Sequence, residues 1–221
     1  MIKRMQALAA IAILLTLFAV LSFYVAAHPI NNFDTTVTLF MQSQSWDSFL
    51  RTTNSIFASS AFRIVYVVLF VIFMVTRRYR RIVYLAAAGI SEVISYAIKN
   101  VLSRPRPAAG LIKIYDPSTG FSFVSGHTLE YAIIFGFLGM MAIESAKERP
   151  IGYLWAAFSF IMPLIVGFGR VYSGAHWLTD TLGSYLLAAV ILILLACLLG
   201  DAFIKKDSAI ELLDDAPQAP G

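Results

Sequence analysis

Charge is scarce in this chain of 221 residues and cysteine is almost absent. Only 14% of the residues are charged while 59% are hydrophobic, a balance that excludes an ordinary soluble globular domain of this size. The single cysteine, Cys197, lies in an apolar stretch. It rules out an internal disulfide, so packing alone must hold the fold, and it carries no information about compartment. The net charge of +4 matters less than where its charges fall. The expected environment is a bilayer, with no nucleic-acid partner.

What the chain has in abundance is long apolar runs. A helix needs about 20 predominantly apolar residues to cross the hydrocarbon core. Hydropathy places such spans near 6–27, 55–76, 82–98, 128–145, 152–169 and 178–199. The expected fold is all-α, one six-span membrane domain over residues 1–200. Residues 201–221 are acidic, end in Pro, Ala and Gly, and read as a disordered cytoplasmic tail. Between the first two spans, residues 28–54 mix Asn, Asp, Thr, Gln and Ser with Phe33, Leu39, Phe40, Met41, Trp46, Phe49 and Leu50. That mixture suits a segment lying against the bilayer surface. Lys3, Arg4 and Val25-Ala26-Ala27 resemble parts of a cleaved signal peptide, but the apolar run between them exceeds the usual 7–15 residues. Residues 1–27 therefore read as a retained first span.

With six spans both termini share one side, and ten Lys and Arg residues accumulate there, including the Arg77, Arg78, Arg80 and Arg81 run. The opposite loops hold six: Arg51, Lys99, Arg104, Arg106, Lys113 and Arg170. The positive-inside rule makes the richer side cytoplasmic. The six outer cations then need a separate reason to be there.

Three outer stretches supply one. Lys99 is followed by Arg104-Pro105-Arg106-Pro107, where two prolines stop the helix and fix the backbone. The Arg106 fork can hold two phosphate oxygens and Lys99 adds a point charge, although such a cluster alone equally suits contact with lipid headgroups. Ser125-Gly126-His127 opens span four, where Ser125 can cap the helix and the free N–H groups beyond it favour an anion. At the start of span six, His176 and Asp180 stand at i and i+4, downstream of Arg170. Asp180 can accept one ring N–H of His176 and leave the other nitrogen unprotonated, an arrangement that suits a nucleophile or base and also a simple helix-cap ion pair. Glu92 lies two turns before Lys99, and Glu130 one turn beyond His127. A carboxylate inside a span requires pairing or water, so both are candidate supports of the same pocket or interhelical packing groups.

In these three stretches the sequence resembles the type 2 phosphatidic acid phosphatase (PAP2) family, the lipid phosphate phosphatases, whose helical core is similar to that of vanadium haloperoxidases. The family pattern is Lys, six residues, Arg-Pro; then Pro-Ser-Gly-His; then Ser-Arg, five residues, His, three residues, Asp. Lys99 with Arg106-Pro107, Ser125-Gly126-His127, and Arg170 with His176 and Asp180 match it, in order, across residues 99–180. Val124 stands where the family has Pro and Gly169 where it has Ser, departures that touch the phosphate pocket's detail.

The resemblance implies that His176 attacks phosphorus to form a phosphohistidine, that Asp180 stabilises the resulting imidazolium, and that His127 protonates the leaving group. Lys99, Arg106, Arg170 and the N–H groups near Ser125 and Gly126 would hold the phosphoryl oxygens, with Arg104 a supporting residue. His127, Glu130, His176 and Asp180 could in principle ligate a metal, but the cations around them would repel a dication, so no metal and no cofactor is expected. The implied setting is a bacterial cytoplasmic membrane with the site facing outward. An outward site suits undecaprenyl diphosphate; phosphatidylglycerophosphate, phosphatidic acid and lipid A are alternatives. An anion transporter or binding protein is a different class, and it would continue the charge inward. The oligomeric state stays open.

Overall fold

The computed structural model describes residues 2–44, 46, 48, 52, 61–146 and 149–199. Among these residues there are seven helices and no strand: α1 (Ile2–Ala27), α2 (Asn32–Ser43), α3 (Ala61–Val75), α4 (Tyr79–Leu102), α5 (Gly126–Ala146), α6 (Ile151–Tyr172) and α7 (Leu178–Leu199). Five of them, α1 and α4 to α7, are long and apolar enough to cross a bilayer. The remaining expected span, 55–76, is represented by the shorter apolar helix α3, its first part lying outside the described residues. The chain is thus an all-α, multi-pass membrane protein, and the boundaries of its five long apolar helices fall within a few residues of those read from hydropathy. The proposed tail, 201–221, and Phe49 and Leu50 also lie outside the described residues.

Helix α5 is the centre. It packs against α4, α6 and α7, while α1 packs on α7 and α3 on α4. Leu129, Ile133, Ile134 and Phe137 of α5 are all buried, as expected of a helix that is apolar all round. Close approach of α6 to α5 depends on Gly152, where a Cβ would stand 2.6 Å from the Ala142 carbonyl. Small residues serve this purpose between spans because lipid offers no hydrophobic drive to helix association. The outer helices instead expose Leu17, Val20, Phe23, Val67, Val93 and Phe168, apolar surface that the hydrocarbon can cover.

Helix α2 inverts the pattern of a soluble surface helix. Its buried residues are Asp34, Thr38, Met41 and Gln42, whereas Phe33, Leu39 and Phe40 are exposed. Asn31 caps it, accepting from the Asp34 N–H at 2.9 Å. The polar side faces α6 and α7. Gln42 donates to the carbonyls of Lys113 and Tyr172, both at 2.8 Å, and accepts from the Lys113 N–H at 3.0 Å. One face of α2 thus clasps the loop between α4 and α5 while the other is apolar and outward, in keeping with a segment lying on the bilayer.

Candidate active site

Successive spans run in opposite directions, so the C-terminal ends of α4 and α6 meet the N-terminal ends of α5 and α7 at one end of the bundle. Lys99 sits in the last turn of α4 and Arg170 in the last turn of α6. His127 lies in the first turn of α5, and Asp180 in the first turn of α7. Arg77 and Arg78, in the turn between α3 and α4, and Arg80 and Arg81, in the first turn of α4, are at the other end. Helix α4 stops at Leu102, and Ser103 takes a left-handed conformation that returns its N–H to the Lys99 carbonyl at 2.8 Å. Pro105 and Pro107 then carry Arg104 and Arg106 across the bundle end as irregular chain.

His176 does not lie on a helix, as its spacing from Asp180 suggested; it sits in the turn before α7. Its Nδ1 is 3.3 Å from Asp180 Oδ2, which also accepts the Trp177 N–H at 2.9 Å. Its Nε2 faces Arg106 Nη1 at 3.2 Å. A neutral ring with its proton on Nδ1 satisfies both partners, since a guanidinium can only donate. Burial, opposed by the hydrogen bond and charge of Asp180 and reinforced by Arg170 and Arg106, pushes the imidazole down to about 3. At neutral pH the Nε2 lone pair is therefore available. The tight approach to Asp180 depends on Gly174, at φ +72, which turns the chain between Arg170 and His176. A Cβ there would meet the Lys113 carbonyl at 2.6 Å.

Arg106 faces that nitrogen, and Arg170 lies within electrostatic reach of the ring. Arg106 also donates through Nη1 to the Ala175 carbonyl at 2.6 Å and through Nε to the carbonyls of Thr119 and Gly120, so its fork is held from behind. Burial and the nearby Arg170 lower the Arg106 guanidinium from its ordinary value, against the pull of Asp180 and Asp116. Lys99 and His127 lie within the electrostatic reach of both arginines. Arg170 pairs with Asp116 at 2.6 Å and reaches Ser118 Oγ at 3.4 Å. Ser125 Oγ accepts from the Thr128 N–H at 3.5 Å and from the Thr128 hydroxyl at 3.0 Å, a long capping bond at the mouth of α5.

Arg104 is not among the convergent cations. Its side chain is fully buried behind Asp180, donating through Nη1 to Asp180 Oδ1 at 2.5 Å and through Nη2 to Asp34 Oδ2 at 2.7 Å. Asp34 and Asp116 are the two acidic residues of this region that sequence reasoning did not single out. Asp34 had one local signal, the Asn-x-x-Asp spacing of a helix start, but nothing in it pointed 146 positions onward to Asp180.

Glu92 comes to the site: both its carboxylate oxygens lie 3.0 Å from where a Gly126 Cβ would stand. Glu130 is instead electrostatically coupled to Tyr66 of α3 and to Tyr131. Val124 is buried, its peptide bond to Phe123 is cis, and its carbonyl accepts from the Ser95 hydroxyl at 3.2 Å. Gly169 is buried in the last turn of α6. Among the described residues, no group of three or more His, Cys, Asp or Glu side chains is arranged to hold a metal ion.

The pattern of the PAP2 superfamily matches residues 80–204, more than half of the chain. An undecaprenyl-diphosphatase BcrC of Bacillus subtilis is 31% identical over 122 residues, covering 52% of this chain and 56% of that protein. A phosphatidylglycerophosphatase B of the same organism is 26% identical over 110 residues, covering 48% and 51%. The chain thus spans about half the length of these curated relatives. The crystal structure of a transmembrane PAP2 type phosphatidylglycerolphosphate phosphatase from Bacillus subtilis superposes with a TM-score of 0.71 at 21% identity, over 89% of this chain and 98% of that one. The two chains share a fold.

Proposed function

Because the chain belongs to the PAP2 superfamily, we propose that it hydrolyses a lipid phosphate at the bundle end where Lys99, Arg106, His127, Arg170, His176 and Asp180 meet. The observation that carries this reading is the orientation of His176, with Nδ1 toward Asp180 and Nε2 toward Arg106. In the proposed reaction Nε2 attacks phosphorus in line, the bond to the lipid oxygen breaks, and a phosphohistidine forms. His127 gives a proton to the departing oxygen. Asp180 stabilises the imidazolium, whose Nδ1 proton it already faces. His127 then takes a proton from water, which attacks the phosphohistidine and releases phosphate.

Phosphate oxygens would take over the donation that Arg106 makes to Nε2 at rest. Lys99, Arg170 and the N–H groups at Ser125 and Gly126 would share the rest of the charge. These fixed donors stabilise the equatorial oxygens as they develop charge, which supports hydrolysis without a metal, the work a magnesium ion does in other phosphoryl transfers. Glu92 borders this pocket, and Arg104 supports it from behind.

The reading extends to a bacterial cytoplasmic membrane, with the Arg77 to Arg81 end in the cytoplasm and the site on the outer face. An outward site suits recycling of undecaprenyl diphosphate, and the relative named for that activity supports it. Phosphatidylglycerophosphate is the second reading, favoured by the other relative. The test is phosphate release by detergent-purified protein on undecaprenyl diphosphate, phosphatidylglycerophosphate, phosphatidic acid and lipid A, with and without EDTA. Wild type should release phosphate from at least one of them, undiminished by EDTA, and His176→Ala should release none. Equal release by both proteins would sink the nucleophile assignment; loss in EDTA restored by zinc would overturn metal independence.

A further inference from the structure

A densely bonded set of buried charges lies behind the cluster just assigned. The Asp34 carboxylate accepts four hydrogen bonds: from Arg104 Nη2 and the Thr179 hydroxyl at 2.7 Å, from Asn31 Nδ2 at 2.8 Å, and from the Thr179 N–H at 2.9 Å. Arg104 in turn donates to Thr179 Oγ1 at 2.7 Å, to the Pro29 carbonyl at 3.0 Å and to Asp180 Oδ1 at 2.5 Å. Asp34 and Asp180 are 0% exposed, Arg104 1% and Thr179 3%.

Burying two carboxylates and a guanidinium is costly unless every lone pair and proton is used, and as a stabilising device a buried ion pair is often no better than an apolar contact. What this chain of charges does is geometric. Asp34 holds the N–H and hydroxyl of Thr179, capping the N-terminus of α7 from another helix. Arg104 fixes the outer oxygen of Asp180, which leaves Oδ2 for the Trp177 N–H and for His176 Nδ1. The three groups together carry one net negative charge, which an imidazolium at His176 would balance.

We infer that Asp34 and Arg104 are positioning residues for the His176–Asp180 pair, through which the bilayer-lying helix α2 forms part of the reacting frame. This rests on the reading of His176 as the nucleophile. Its direct consequence is that removing the Asp34 charge slows chemistry without weakening substrate capture, because Asp34 lies on the far side of Asp180 from the phosphate cluster.

The test uses the full chain in detergent, with Asp34→Asn, Asp180→Asn and the double variant, on the lipid phosphate that wild type turns over best. Asp34→Asn should lower kcat roughly tenfold or more, the scale on which partners that orient a metal-bound histidine act, with KM within about twofold. In the Asp180→Asn background the same change should have almost no further effect, since both act on one element. An unchanged kcat, a loss confined to KM, or fully additive losses would each overturn the inference.

If Asp34→Asn does not fold, Thr179→Val removes only the hydroxyl shared by Asp34 and Arg104; it must still lower kcat, and an unchanged kcat counts against the proposal. An arm independent of turnover is nitrogen NMR of histidine-labelled protein, with His176 assigned by His176→Gln. The His176 proton should sit on Nδ1 in wild type and distribute over both nitrogens in Asp34→Asn; identical spectra would refute positioning. Absence of phosphate release by wild type on every lipid would strike the phosphatase reading alone, and the NMR arm would still decide this one.

Discussion

Arg106 Nη1 lies 3.2 Å from His176 Nε2, the ring nitrogen opposite the one that faces Asp180. The imidazole is thus strung between a cation and a carboxylate, with its lone pair pointing into the cation. In the proposed reaction a phosphoryl group would insert between Arg106 and the ring, bringing phosphorus onto the nitrogen. Binding and alignment for attack would then be one event.

Replacing the fork tests this directly. Arg106→Lys keeps a positive charge but cannot hold the carbonyls of Ala175, Thr119 and Gly120 while also donating toward Nε2. The expected loss in kcat/KM is roughly 100-fold, the scale of removing one donor to a transferring group. Steady-state kinetics on the best lipid phosphate measures it, and a loss below threefold would mean that charge alone suffices.

Asp116 Oδ2 pairs with Arg170 Nη1 at 2.6 Å, where it would compete with the phosphate oxygens proposed for Arg170. The Asp116 side chain is 32% exposed and that of Arg170 5%, so solvent screens the pair from the Asp116 side and its worth is on the order of 1 kcal/mol. Asp116→Asn should therefore lower KM by up to about fivefold and strengthen inhibition by inorganic phosphate to match. A raised KM would instead mean that Asp116 holds Arg170 in place.

Acid should weaken the fold through His176. Its folded value of about 3 lies below the ordinary value of 6.5, so between these the unfolded chain binds the extra proton. Stability must then fall as pH drops from 6.5 toward 3, at a limiting slope of about 1.4 kcal/mol per pH unit. The midpoint of thermal unfolding in detergent should decline more steeply over this window for wild type than for His176→Gln, in which the titrating group is gone. Parallel declines would contradict the burial of a neutral ring.

Gly174→Ala places a Cβ at φ +72 and against the Lys113 carbonyl, neither of which a side chain can relax. Thermal unfolding should report a loss of about 2 kcal/mol. Because this turn joins Arg170 to His176, kcat should fall as well, by roughly tenfold for a sub-ångström displacement. Stability lost with kcat intact would show that the turn serves folding alone.

Much of the architecture is legible before any coordinates. Apolar runs of span length leave a chain no alternative to crossing the bilayer, and Pro105, Pro107 and the polar turn before Leu178 mark where helices must stop. The three motifs are legible for a related reason: their residues sit at helix ends, where a fixed spacing in sequence is also a fixed spacing in space. His176 and Asp180, four positions apart, meet whether or not both are helical. The capping role read for Ser125 corresponds to a bond of 3.5 Å in the structure.

Long-range pairings were not legible. Asp34 reads locally as a helix-start residue among polar neighbours, and Arg104 as one more cation beside Arg106. Their side chains separate only when tertiary packing turns Arg104 inward to Asp34 and Asp180 and leaves Arg106 facing Nε2. Glu92 and Glu130, indistinguishable by hydropathy, likewise part company, one against Gly126 and the other toward Tyr66. Composition and spacing, then, determined that this chain spans a membrane and which short stretches are the candidates for chemistry, because solvent transfer and helix geometry act locally. The partner of each charge was decided only by the tertiary structure, because a buried ion pair is made by elements that the sequence holds far apart.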